Sequence, residues 1–151
     1  TMQEVKELNN TPINKNFVKQ KDNIKKAFTK IVDEGKFIQK LIDESAPLIL
    51  KIKKHHDRPR PKKLAKKIGI KMEDVEMESM KTPSYPSGHS AQGVLVGMAL
   101  SDKYPNKKTK LMKIAKDISK SRNIARAHYK SDSKFGEQIG KDMYNHIKNK
   151  I

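Results

Sequence analysis

The 151-residue chain contains no cysteine and no tryptophan, and only four tyrosines and four phenylalanines. Without cysteine there can be no disulfide framework, no thiolate nucleophile and no Cys-based zinc site. So few aromatics leave an aliphatic, helix-built core as the expectation rather than a β-sandwich. No apolar run approaches the roughly 20 residues that a membrane-spanning helix needs. The opening Thr1-Met2-Gln3-Glu4-Val5 lacks the apolar segment of a secretory leader. The expectation is therefore a soluble, cytoplasmic protein, or a periplasmic or secreted one had a leader been removed. Acidic residues are also scarce, 17 against 34 Lys and Arg, giving a formal charge of +17. That imbalance attracts nucleic acid, anionic surfaces or phosphorylated small molecules, and carries no information about fold.

What is present reads as helices. Residues 1–13 are polar and are expected to form an N-terminal arm, with residues 14–151 as one domain. Phe17, Ile24, Phe28, Ile31 and Val32 recur at helical spacing and predict one helix from Asn14 to about Asp33. Ser45 and Pro47 suggest that a fresh helix starts there. Lys62 to Ile70 reads as a short helix ended by Gly69, and the Met-rich stretch 71–85 as a surface loop. Further helices are expected over 87–103, from about Lys107, and from a cap at Ser131 or Asp132. The reading is all-α, a single-domain bundle of roughly six helices.

Three stretches carry candidate chemistry. The turn Pro86-Ser87-Gly88-His89 opens into the most apolar run of the chain, Ala91 to Leu100. Ser87 is a good helix cap, and free N–H groups at a helix start favour anions. A histidine there can hand a proton to whatever docks. Lys51 and Arg58, the latter in the stiffened run Arg58-Pro59-Arg60-Pro61, could grip a phosphate, the arginine through its fork and the lysine as a point charge. In Ser121-Arg122, His128 and Asp132, six residues separate Arg122 from His128. On an unbroken helix these two would lie about 240° apart, so a helix end between them is required for both to face one pocket. Asp132, four residues beyond His128, could accept from one imidazole nitrogen and leave the other as nucleophile or base.

Taken together, Lys51-x6-Arg58-Pro59, Pro86-Ser87-Gly88-His89 and Ser121-Arg122-x5-His128-x3-Asp132 resemble the three-part signature of the type 2 phosphatidic acid phosphatase superfamily. Between the parts lie 26 and 31 residues, and the resemblance spans about Leu48 to Gly140. Lacking membrane helices, the chain is most similar to the soluble bacterial acid phosphatases. The resemblance implies a helical bundle with the site at one end, a phosphomonoester or lipid-headgroup substrate, and neither metal nor cofactor. It further implies His128 as the nucleophile forming a phosphohistidine, Asp132 orienting it and His89 as general acid and base. Lys51, Arg58 and Arg122, with the backbone near Ser87 and Gly88, would bind the phosphate oxygens. Tyr85 and the Met-rich 72–80 stretch are candidate leaving-group contacts, and His56 or Asp57 could line the pocket mouth.

Two other readings share these residues. Vanadium haloperoxidases use the same pocket, though in generally larger chains. A basic nucleic-acid-binding helical domain would bind tightly and salt-sensitively, and would be indifferent to alanine at His128. Peripheral contact with anionic surfaces and a homodimer are compatible with all three.

Overall fold

The computed structural model describes residues 1–150, apart from the side chains of residues 78 and 79. Its elements are all helical: α1 (Met2–Asn10), α2 (Lys15–Asp22), α3 (Ile24–Thr29), α4 (Gly35–His56), α5 (Pro61–Lys67), α6 (Gly88–Lys103), α7 (Lys108–Ile124) and α8 (Lys130–Ile147), with short 3-10 turns at Glu78–Lys81 and Pro105–Lys107. The all-α expectation holds, with more and shorter helices than the sequence suggested. Among the described residues no helix is long and apolar enough to cross a membrane.

The apolar α6 is the axis. It packs against α4, α7 and α8, and its Leu95, Val96 and Leu100 meet Phe28, Ile38, Leu41, Leu111 and Ile118 in the main core. On α8, Gly136 and Gly140 are one turn apart and lie against α6. A Cβ at Gly136 would collide with the Ser87 carbonyl, and one at Gly140 with the Ala91 carbonyl. These two absent side chains let α8, which carries Asp132, rest on the turn that carries His89.

Four boundaries differ from expectation, each for a local reason. Residues 2–10 form a capped helix, not a loose arm, because Val5 and Leu8 bury against Ala65, Met72 and Tyr129. The anticipated 14–33 helix is broken at Asn23, which is extended (φ −90°, ψ 103°) and caps α3 by accepting from the Lys26 N–H. Conversely, α4 runs unbroken through Pro47. Ser45, instead of capping a new helix, is buried and donates back to the Ile42 carbonyl, while Gln92 of α6 donates to both. Packing of Ile38, Leu41 and Ile49 on one stripe outweighs the proline. Finally, the cap of α8 is Tyr129, so Ser131 and Asp132 lie inside the first turn.

Gly140→Ala should destabilise the fold by about 1–3 kcal/mol, the usual range for overpacking, because Ala91 belongs to helix backbone that cannot yield. Urea titration followed by circular dichroism reads this; an unchanged midpoint would show that α6 and α8 can separate freely.

Candidate active site

The site lies where the loop after α4, the start of α6 and the α7–α8 turn meet. Helix α7 stops at Ile124, and Arg126 takes a left-handed conformation (φ 60°). Its guanidinium is fastened to the Asn9 side chain and to the carbonyls of Asn9 and Thr11. This reversal lets the N–H of Ala127 donate to the Arg122 carbonyl at 3.0 Å, so Arg122 and His128 come together after all. The helix end that the spacing demanded sits just past Arg122, earlier than Tyr129.

His128 is buried, and its tautomer follows from its neighbours. Arg60 Nη1 lies 2.8 Å from His128 Nε2, and a guanidinium has only donors, so Nε2 must hold its lone pair toward Arg60. The proton therefore sits on Nδ1, which donates to Asp132 Oδ2 at 3.3 Å. Burial first, then the charges of Arg60, Lys53 and His89, push the His128 pKa well below 6.5. The ring is thus neutral into the acid range, with a free base directed at a cation.

Asp132 is fully buried. Its carboxylate also accepts from the Tyr129 N–H (2.9 Å), from the Ser84 hydroxyl in a short contact, and from Arg58 Nη1 (2.8 Å). Burial raises its pKa against these donors. Its backbone carbonyl accepts from the Ser87 N–H at 3.0 Å, tying the last segment to the α6 turn. Ser87 caps α6 by accepting from the Ser90 N–H. Gly88 lies beside Lys53, whose Nζ is about 4.0 Å from where a Cβ would stand.

The cations are not all those expected from the sequence. Lys51 is exposed on α4. Arg58 reaches Asp132 and Ser131, and lies over the Tyr85 ring at 3.9 Å, so it braces the carboxylate away from Nε2. The cations whose charges act on His128 are Arg60 and Lys53. Lys53 is 6% exposed, Arg60 8%, and both donate to Thr82 Oγ1. The pattern Lys-x6-Arg-Pro occurs twice in this stretch, as Lys51/Arg58-Pro59 and Lys53/Arg60-Pro61. Lys51 and Lys53 are about 200° apart on a helix, so only one can point inward. The deciding signal was in the sequence: Ile38, Leu41, Ser45, Ile49 and Lys53 continue one stripe at steps of three and four.

A residue with no motif to mark it completes the arrangement. Asp22, at the end of α2, accepts from Arg122 Nη1 at 3.1 Å, and its carboxylate stands 3.5 Å from His89 Nε2. The Asp22 carbonyl also accepts from that nitrogen at 2.8 Å. The His89 contact and the Arg122 charge hold the Asp22 carboxyl down at about 2. Burial lowers the His89 pKa, and Asp22 opposes the shift. Arg122 is 1% exposed, and its Nη2 has no acceptor among the described residues. His56 and Tyr85 form an aromatic cluster with Phe135, the two outer rings stacking at 4.5 Å. Asp57 is an exposed left-handed cap of α4.

Comparison with known proteins gives the arrangement a context. Over 88 residues the chain is 36% identical to the non-specific acid phosphatase of Salmonella typhimurium and 35% identical to that of Salmonella typhi. Each match takes in 58% of this chain and 35% of the relative, so the chain spans about a third of the length of the curated relatives it matches. No family model matches.

The Lys53 pKa is lowered to about 7 by burial and by Arg60, from 10.5 in an unfolded chain. Between these values the unfolded state binds the extra proton, so this group makes stability rise with pH from 7 towards 10.5. Thermal unfolding of Lys53→Met beside the unaltered chain should show that component lost. Parallel curves over that window would mean that Lys53 is solvated.

Proposed function

We propose that this chain is a phosphatase that hydrolyses phosphomonoesters through a phosphohistidine at His128. The observation that carries the reading is the buried, neutral imidazole whose Nε2 lone pair faces Arg60. Supporting it are the acid phosphatase relatives and the Arg122 Nη2 donor, buried without an acceptor among the described residues. A phosphate satisfies that donor and takes over the contacts that Asp22 makes with Arg122 and His89 in the resting site.

In the proposed reaction Arg60 moves its bond from Nε2 to a phosphate oxygen, freeing the lone pair. Nε2 attacks phosphorus, the ester P–O bond breaks, and the leaving oxygen takes a proton from His89. Water then attacks the phosphohistidine, returning its proton to His89; the P–N bond breaks and inorganic phosphate leaves. Asp132 stabilises the imidazolium formed along the way. Lys53, Arg60 and Arg122, with the N–H groups at the start of α6, bind the oxygens on which charge develops. These fixed cations supply the neutralisation that a metal would otherwise give, and the reading is of a metal-independent enzyme. The roles first assigned to Lys51 and Arg58 pass to Lys53 and Arg60.

The test is release of p-nitrophenol from p-nitrophenyl phosphate, with EDTA and with orthovanadate. Activity should survive the chelator and be lost to vanadate. His128→Ala should abolish it, and Arg60→Ala should cost about 10²–10³-fold, as does loss of one oxyanion donor. Lys51→Gln should leave it unchanged; equal losses at Lys51 and Lys53 would return the motif to its earlier register. Tight, salt-sensitive nucleic-acid binding with no hydrolysis would overturn the proposal.

The pH profile supplies a second check. His89 must be protonated to act as the acid, and burial lowers its pKa, so kcat/KM falls as pH rises through that lowered pKa. Asp22→Asn removes a partner that raises the His89 pKa, and the alkaline limb should move to lower pH. An unmoved limb would take His89 out of the acid role.

A further inference from the structure

The α5 helix and the segment that follows it enclose a cavity of about 690 Å³ that shares walls with the active site. Arg60 lines it while its Nη1 touches His128, and Met77 lines it while its sulfur lies 3.3 Å from Arg122 Nη1. Lysines converge on it from two sides. Lys62, Lys63 and Lys66 reach it from α5, and Lys71 and Lys81 from the facing segment. Lys66 lies three residues from Lys63 and four from Lys62, which makes it a neighbour of both on the helix surface. Asp74 and Glu76 also line the cavity, and Lys62 is engaged by Asp74 at 3.5 Å. Lys63, Lys66 and Lys71 have no carboxylate partner among the described residues. Between the lysines lies an apolar floor of Ile70, Met72, Met77 and Met80.

Like charges gathered around one hollow repel one another unless an anion joins them, and a methionine floor suits a flat, polarisable body. We infer that this cavity receives the leaving-group side of the substrate, and that the preferred substrates are phosphomonoesters whose leaving group bears a further phosphate beside an aromatic or apolar body. The inference rests on the phosphatase reading: one phosphate sits against His128, Arg60 and Arg122, and the second lies among Lys63, Lys66 and Lys71. A leaving group with no second charge takes up only the floor.

Adenosine 3′,5′-bisphosphate is the probe, with 3′-AMP, 5′-AMP and p-nitrophenyl phosphate as references. The full chain should show kcat/KM about tenfold or more higher for the bisphosphate than for either monophosphate, the scale of three exposed ion pairs acting together. That preference should shrink as salt rises. The triple variant K63Q/K66Q/K71Q should lose it while keeping hydrolysis of p-nitrophenyl phosphate within about twofold. Calorimetric titration of the same ligands reads the cavity without turnover, and binding of the bisphosphate should weaken about tenfold in the triple variant. Equal affinity for bisphosphate and monophosphates, or a preference that the triple variant retains, overturns the cavity assignment. Lysine-dependent bisphosphate binding with no hydrolysis of any ester upholds the cavity and overturns the phosphatase reading instead.

Discussion

The Asp132 carboxylate is a fully buried negative charge in a chain of formal charge +17, and everything around the site is arranged on it. It accepts from Arg58, Ser84, the Tyr129 N–H and His128. These donors come from the loop after α4, from the segment before α6 and from the α7–α8 turn. The Asp132 main chain also accepts from the Ser87 N–H. One residue therefore fixes the histidine tautomer, starts α8 and joins three sequence-distant segments. Losing it would leave Arg58 and His128 facing an apolar void, a far larger penalty than the removal of one contact.

With that anion committed to structure, the positive groups beyond it are in surplus. Arg60, Lys53 and Arg122 are almost wholly buried, and burial lowers the pKa of each. Desolvation, with the charges of Arg60, Lys53 and His89, keeps His128 unprotonated where an exposed histidine would be charged. The same forces suit acid conditions. In the proposed reaction the nucleophile stays neutral while the cationic cradle stays charged, and burying an imidazole among lysine and arginine meets both needs. On that proposal an arriving phosphate relieves the crowding it encounters, so that binding and activation are one electrostatic event.

Much of this was legible in the residues, and the misses have separate causes. The turn at Pro86–His89, the pairing of His128 with Asp132 and the need for a helix end past Arg122 all follow from spacing and cap chemistry. The α6 core follows from its composition. At Lys51 and Arg58 two overlapping copies of one pattern satisfy the same spacing, and spacing alone does not say which lysine faces inward. Helix phase does, and Lys53 lies on the stripe of Ile49 and Ser45. Asp22 could not be found this way: its role depends on α2 ending against α6 and α7, a tertiary fact with no local signature. Pro47 and Asn23 misled in opposite directions, since packing carries α4 through a proline while a side-chain cap ends α2 in mid-pattern.

The N-terminal helices bear on how the site is closed. Glu4 accepts from the Ser131 hydroxyl at 2.6 Å, Asn9 and Thr11 hold Arg126 in its left-handed turn, and Asp22 bridges Arg122 and His89. Residues outside the three candidate stretches thus supply the acceptors that the site's cations and turn would otherwise lack. A cationic cup assembled from α4, α6, α7 and α8 alone would repel itself, and the carboxylate of Asp22 is what it closes on in the absence of substrate. In the proposed reaction Asp22 is bound through the same two groups that a phosphate would need, so the contact that stabilises the resting site is the one that a phosphate would replace. On that proposal stability and turnover draw on the same charges, and strengthening the first by tightening Asp22 weakens the second.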